Sequence, residues 1–180
     1  MRTVFMTLMI LALSNTLWAD IYVKDKKVNK ATPLQAGDRC PEFKFEDVSG
    51  KMVSSKDLKG KYLFIDIWAT WCPPCRDELP FLQELEEKFK GKNIHFVSIS
   101  CDNNKQKWQQ FVKDKKLGGI QLRMGDDWSF MEAFGNRKIP RFVLVSPKGI
   151  IISPKASRPS ESETEGMLWD LKGIHKSKKR

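Results

Sequence analysis

The sequence predicts an α/β fold, a central mixed β-sheet flanked by helices on both faces. Two patterns predict it. Apolar runs of strand length, Lys61 to Trp68 and Ile94 to Ser100, alternate with segments of helical period, Pro73 to Lys90 and Lys105 to Lys115. Strands covered by helices on both faces read as near-continuous apolar runs rather than alternating ones. The alternation then gives way to two short strands, Arg141 to Val145 and Ile150 to Ser153, around the turn signal Pro147-Lys148-Gly149. A hairpin there adds antiparallel strands to a parallel core. The length of 180 residues suits one domain. At 41% apolar and 30% charged, the composition excludes a disordered chain. No apolar run reaches the roughly 20 residues of a membrane span, which excludes a multi-pass membrane protein.

From the N-terminus, Met1 to Ala19 reads as a secretory signal peptide. Arg2 gives the positive start, Val4 to Leu13 the apolar stretch broken only by Thr7, and Ala19 the residue before the cut. The expected location is therefore the periplasm or another extracytoplasmic space, with the protein soluble after cleavage. Disulfides persist in such an oxidising compartment. Residues 20–33 are Lys-rich and aperiodic, a flexible lead-in, and the domain proper runs over 34–173. Phe43, Phe45 and Asp47 with the turn Ser49-Gly50-Lys51 predict a short strand and hairpin. In the first long helix Leu82, Leu85 and Phe89 share one face. Gly118-Gly119 ends the second helix, a short strand covers Ile120 to Arg123, and a short helix covers Ser129 to Phe134. The last helix spans Ser160 to Leu171, with Ser160 and Glu163 spaced as a capping box. Residues 174–180 form a basic, solvated tail. The net charge of +10 is spread along the chain without interleaved aromatics, which argues against nucleic acid as a partner.

The segment Trp68-Ala69-Thr70-Trp71-Cys72-Pro73-Pro74-Cys75-Arg76 carries the chemistry. It places a Cys-x-x-Cys pair where a buried strand ends and a helix begins. The first N–H groups of a helix lack intrahelical partners and carry about half a positive charge. They stabilise a thiolate at Cys72, and the thiolate is the reactive species in disulfide exchange. Proline is tolerated there because first-turn N–H groups are unpaired in any case. Cys75 lies one turn deeper, placed to close a ring on Cys72.

This arrangement resembles the thioredoxin superfamily, and within it the exported TlpA/ResA-like thiol-disulfide oxidoreductases. The resemblance runs from about Leu34 to Leu171. It rests on the Trp-x-x-Trp-Cys-x-x-Cys block, on Gly37-Asp38-Arg39-Cys40-Pro41-Glu42-Phe43, and on Ile139-Pro140. It implies a thioredoxin-like fold in which Cys72 is the nucleophile, Cys75 the resolving cysteine, Pro80 the helix-kinking proline and Pro140 the cis-proline. The 65 residues from Cys75 to Pro140 exceed the span of a minimal thioredoxin, so the chain carries a TlpA/ResA-type helix–strand insert at Lys105 to Arg123. Asp66, six residues before Cys72, matches a buried carboxylate of thioredoxin; Glu78, three after Cys75, matches a helix acid of the ResA-like branch. Either is a candidate to take the proton from Cys75. Trp68 and Trp71 pack around the cysteines. Trp71, Pro73, Pro74, Ile139 and Pro140 form the surface offered to a substrate, with the backbone of Ile139 beside Cys72. Arg141 stands where many relatives carry Thr, and Pro73-Pro74 replaces Gly-Pro, leaving substrate preference and redox potential open.

Cys40 and Cys101 have two readings, a structural Cys40–Cys101 bridge or two buried free thiols. The resemblance implies a monomeric protein-disulfide reductase with no cofactor. Its partners are protein thiols and disulfides and a membrane-embedded thiol reductant, with net flow in the reducing direction. Two alternatives use the same cysteines. A zinc or copper protein needs further ligands, but no second Cys-x-x-Cys exists, His95 opens a strand and His175 lies in the tail. No metal is expected. A thiol peroxidase on the same fold needs one activated cysteine rather than a pair.

Overall fold

The computed structural model describes residues 32–174. The leader over 1–19, nearly all of the lead-in and the tail from His175 lie outside the described residues. Among those described, no helix is long and apolar enough to cross a membrane.

A seven-stranded mixed sheet organises the domain. Its strands are β1 (Lys44–Asp47), β2 (Met52–Ser54), β3 (Tyr62–Trp68), β4 (Ile94–Ser100), β5 (Ile120–Arg123), β6 (Arg141–Val145) and β7 (Ile151–Ser153). They lie in the order β2-β1-β5-β4-β3-β6-β7. The three strands β3, β4 and β5 are parallel, and antiparallel pairs close both sides. Helices α1 (Pro73–Lys88), α2 (Lys105–Asp114), α3 (Ser129–Glu132) and α4 (Ser162–Trp169) complete the fold. The insert expected at 105–123 is present as α2 followed by β5, which pairs with both β4 and β1.

Strand β3 is central because all seven of its residues are buried. Its side chains alternate between two cores, as the pleat requires. Leu63, Ile65 and Ile67 meet Trp108 and Val112 of α2 and Phe130 of α3. Tyr62 and Phe64 meet Leu82 and Leu85 of α1 and Leu168 of α4. Gly149 makes the β6–β7 turn with φ of 76°, a left-handed conformation that glycine adopts without strain.

The strand cores fall where the apolar runs place them, and the helix ends shift by one or two residues, α2 stopping at Asp114 and α4 at Trp169. Helix α1 ends at Lys88, with Phe89 as its C-cap, and α3 stops at Glu132. Helix α4 begins at Ser162, not Ser160, and the Ser160/Glu163 capping box does not form. Ser160 instead donates its amide and hydroxyl to Glu78, at 3.0 and 2.9 Å. Glu163 accepts from the Ser157 hydroxyl. A reciprocal capping box forms elsewhere, between Ser54 and Asp57 on the 3-10 turn Ser55–Leu58.

Phe64 is fully buried, stacked on Phe142 and edge-on to Phe96, both at 5.8 Å. Replacing it with alanine should cost about 3–5 kcal/mol, read as a lower urea midpoint at unchanged slope. Val48→Ala, at an exposed position, should stay within about 0.5 kcal/mol.

Candidate active site

Cys72 and Cys75 form a disulfide at the start of α1, with Cα atoms 5.3 Å apart. Cys72 is the N-cap residue, in extended conformation, and the Cys75 amide donates to its Sγ at 3.3 Å. The sulfur thus occupies the place that a Ser or Asp oxygen takes in an ordinary cap. Pro73 and Pro74 fill the first turn, where no amide partner is lost. Pro80 sits inside the helix, which continues through it to Lys88. Both cysteines are buried while Trp71, Pro73 and Pro74 around them are exposed. The two tryptophans divide. Trp68 is wholly buried in the same core as the cysteines, tilted against Phe111 at 5.6 Å. Trp71 is 56% exposed, so it flanks the pair on the outside rather than shielding Cys75.

The Ile139–Pro140 bond is cis. Ile139 packs, half-buried, on the core that contains both cysteines. Arg141, the next residue after Pro140, pairs in register with Ile67 on β3. Pro140 therefore starts β6 beside the end of the strand whose chain continues into Cys72.

A buried carboxylate that the motif reading passed over holds the approach to the cysteines. Asp102 is 1% exposed. It accepts from the Thr70 amide at 2.9 Å, from the Thr70 hydroxyl at 2.6 Å and from the Ser100 hydroxyl at 2.6 Å. The Cys101 amide donates to the Trp68 carbonyl at 2.8 Å, tying the same two strand ends together. Arg123 donates to the Asp102 carbonyl at 3.2 Å while also pairing with Glu46. The only sequence signal was Ser98, Ser100 and Asp102 recurring every second residue on one side of an otherwise apolar strand end.

Asp66 is buried, 3% exposed, on the face of β3 that carries Phe64. Burial pushes its carboxyl well above the ordinary range, and the charges of Glu78 and Glu86 add to the effect. Glu78 is also buried, with both oxygens engaged by Ser160, and Arg158 lies at 3.6 Å. Glu86 belongs to this acid group although it stands between the exposed Glu84 and Glu87 in the chain. Burial pushes it up to about 7. Its helical offsets, four after Leu82 and seven after Leu79, put it on the apolar side. Gly118 and Gly119 make room for it: a Cβ on Gly119 would lie 2.7 Å from Glu86 Oε1 and 3.0 Å from the Phe96 carbonyl oxygen.

Cys40 and Cys101 are both free, and the bridge considered between them is not formed. They sit at opposite ends of the sheet. The Cys40 amide donates to Gly149 in the β6–β7 turn, whereas Cys101 follows the other end of β4 and donates to Trp68. Between those ends lies the length of β3, about 20 Å at roughly 3.3 Å per residue, far beyond the roughly 7 Å limit for a disulfide. Burial pushes both thiols up to about 12, with Asp102 and Asp66 contributing at Cys101. Such thiols are inert compared with a capped thiolate. His95 is half-buried on β4, and among the described residues no three His, Cys, Asp or Glu side chains gather as a metal site.

Comparison with known proteins agrees with this geometry. Residues 35–168 match the Redoxin family. The chain is 26% identical over 170 residues to the thiol-disulfide oxidoreductase ResA of Bacillus cereus, covering 94% of each chain. It is 25% identical over 175 residues to ResA of Bacillus subtilis, covering 97% of this chain and 92% of that one. Among solved structures, a Bacteroides vulgatus protein proposed to be a thiol-disulfide oxidoreductase is 52% identical with a TM-score of 0.67. The match covers 77% of this chain and 93% of that one. The thioredoxin domain of another thiol-disulfide oxidoreductase from the same organism gives 28% identity and a TM-score of 0.68, over 75% and 96% of the two chains. With a helix-capped cysteine pair at the edge of a mixed sheet, the chain belongs to the Redoxin family, as a ResA-like thiol-disulfide oxidoreductase of thioredoxin-like fold.

Proposed function

We propose that the protein is a protein-disulfide reductase of the extracytoplasmic space. The observation that carries this reading is the Cys72 sulfur seated as the cap of α1, accepting the Cys75 amide at 3.3 Å. In the reduced enzyme the same amide and the helix dipole favour a Cys72 thiolate. That thiolate attacks one sulfur of a substrate disulfide; an enzyme–substrate mixed disulfide forms and the first substrate sulfur leaves as a thiolate, which takes up a proton. Cys75 then loses its proton and attacks the Cys72 sulfur. The Cys72–Cys75 bond forms, the mixed disulfide breaks, and the second substrate sulfur departs. Two electrons pass from the enzyme dithiol to the substrate. A membrane-embedded thiol reductant restores the dithiol, and the enzyme works as a monomer.

Of the two candidate acids, Asp66 is the better acceptor for the Cys75 proton. Its oxygens are not committed to the segment that occupies Glu78, and its raised pKa brings it nearer to that of a thiol, where proton transfer is efficient. Glu78 acts as a positioning residue, joining α1 to residues 158–160. Trp71, Pro73 and Pro74 give the substrate an apolar rim around Cys72, and the Ile139 backbone with Pro140 completes the docking surface. The leader reading of 1–19 supports export.

Reduced Cys75→Ser should accumulate a mixed disulfide with insulin, visible on a non-reducing gel, and Cys72→Ser should leave insulin unreduced. Alkylation of reduced Cys75→Ser by iodoacetamide should give a Cys72 pKa below the ordinary thiol value of about 8.5; a value at or above it removes the basis of the mechanism.

The acids also make stability depend on pH. Asp66 and Glu86 have folded-state pKa values above their unfolded ones, so below about pH 4 both states are protonated and the two groups contribute no penalty. The penalty grows as pH rises, reaching its full extent for Glu86 above about 7. Glu86→Gln should therefore gain stability over wild type between pH 5 and pH 8 in urea unfolding. A difference between the two proteins that does not change with pH would count against a proton held at Glu86.

A further inference from the structure

Beside Pro140 a groove opens whose lining includes Asn136, Lys138, Pro140, Arg141, Lys155 and Arg158. Four of these are cations, and no Asp or Glu lines the groove. The chain pairs many of its other charges: Lys105 and Arg123 with Glu46, Lys88 with Glu165, Lys56 with Glu42. Here, by contrast, Lys138 and Lys155 are exposed and have no ion pair among the described residues. Arg158 has only the 3.6 Å approach of Glu78, whose oxygens are already taken by Ser160. Arg141 donates to the Pro154 carbonyl at 3.1 Å and to Asn136 Oδ1 at 2.8 Å, both uncharged acceptors, and its buried Nε has no partner among the described residues. The neighbouring carboxylates are committed elsewhere. Glu132 pairs with Arg137, Glu161 accepts the Arg158 amide, and Glu163 accepts the Ser157 hydroxyl. A half-buried guanidinium without a counter-charge is a cost to the folded protein. An incoming carboxylate would relieve it.

The groove is placed where a substrate chain must pass. It begins at Pro140, and β6 lies beside the end of β3 that leads to Cys72. Its far wall, residues 155–158, is anchored to the cysteine-bearing helix through Glu78. An extended segment whose cysteine meets Cys72 and whose chain crosses Pro140 enters the groove within a few residues, at roughly 3.3 Å each.

We propose that this groove selects protein substrates carrying Asp or Glu beside the reactive cysteine, their carboxylates pairing with Lys138, Arg141, Lys155 and Arg158. The inference rests on the disulfide-exchange reading of the site and names the substrate class that the site prefers. Charges at the rim of a docking surface act chiefly on association rate, and salt screens them. The preference therefore belongs in kcat/KM at low salt.

The test uses three peptides, each closed by one disulfide and alike except for a Glu-Glu, Gln-Gln or Lys-Lys flank. Reduced wild-type protein should reduce the Glu-Glu peptide about ten-fold faster than the Gln-Gln peptide at low ionic strength, and the Lys-Lys peptide most slowly. The spread should shrink in 0.5 M salt, above which screening lengths fall to roughly 3–4 Å. Lys138→Glu combined with Lys155→Glu should abolish or invert the preference, read as the ratio of the Glu-Glu rate to the Gln-Gln rate within the same variant. Lys107→Glu combined with Lys113→Glu, the same charge change on α2, should leave the preference in place. Equal rates for the Glu-Glu and Gln-Gln peptides overturn the assignment, as does a preference lost equally in both double variants, which would make it a property of overall charge. Turnover without discrimination sinks the groove alone; no turnover of any peptide sinks the exchange chemistry and the groove with it.

Discussion

The structure depends on one junction, the point where β3 ends and α1 begins. A sulfur there does the work of a capping oxygen, accepting an amide that the helix cannot satisfy internally. Geometry at that point has to be fixed, because a helix terminus acts on a charge only within its first turn. Thr70 fixes it. Both its amide and its hydroxyl are held by Asp102 from the next strand, and the Cys72 amide closes on the Ala69 carbonyl at 3.1 Å. Asp102 is in turn fixed by the Ser100 hydroxyl and, through its carbonyl, by Arg123 on β5. The reactive pair is thus positioned by three parallel strands rather than by its own loop.

Between β3 and α1 the protein buries carboxyl groups whose ionised forms cost stability. Asp66 and Glu86 are both buried enough to hold protons past the usual carboxylate range. If Asp66 takes the Cys75 proton as proposed, it does so as the ionised carboxylate, and the burial that raises its pKa makes that carboxylate the stronger base. The cost appears as stability lost with rising pH. Glu78 solves the same burial problem differently. It is satisfied by Ser160 and approached by Arg158, and so serves as a strut.

Features set by local pattern were readable from the sequence, and features set by distant partners were not. Strands β3, β4, β5 and β6 lie within a residue of their apolar runs because burial on both faces leaves little choice of residue. Cys72 and Cys75 announced themselves as a motif, and Ile139-Pro140 through a family resemblance. The start of α4 was misplaced because Ser160 bonds to a residue 82 positions away, a contact that no local spacing encodes. Glu86 stands between the exposed Glu84 and Glu87; only its offset from Leu79 and Leu82, with two glycines in a separate segment, reveals the pocket it fills. Asp102 looked like the start of a loop, since a single polar residue after a strand carries no sign of what it will accept. Of the two readings of Cys40 and Cys101 the free thiols hold and the bridge does not, for a topological reason: the two lie at opposite ends of the sheet.

Topology also explains how residues so far apart in sequence share one edge. Parallel strands point their C-terminal ends the same way, so the segments after β3 and β4 bring Cys72 and Asp102 together. Strand β6 runs antiparallel to β3, and for that reason alone its beginning, not its end, arrives at this edge. Pro140 and Arg141 are there because they precede β6. Had the connection before β6 been a right-handed crossover into a parallel strand, the β6–β7 turn with Lys148 and Gly149 would stand beside the cysteines instead. The antiparallel step at β6 is therefore what brings Pro140 and the Arg141 guanidinium to the same edge of the sheet as the Cys72–Cys75 disulfide.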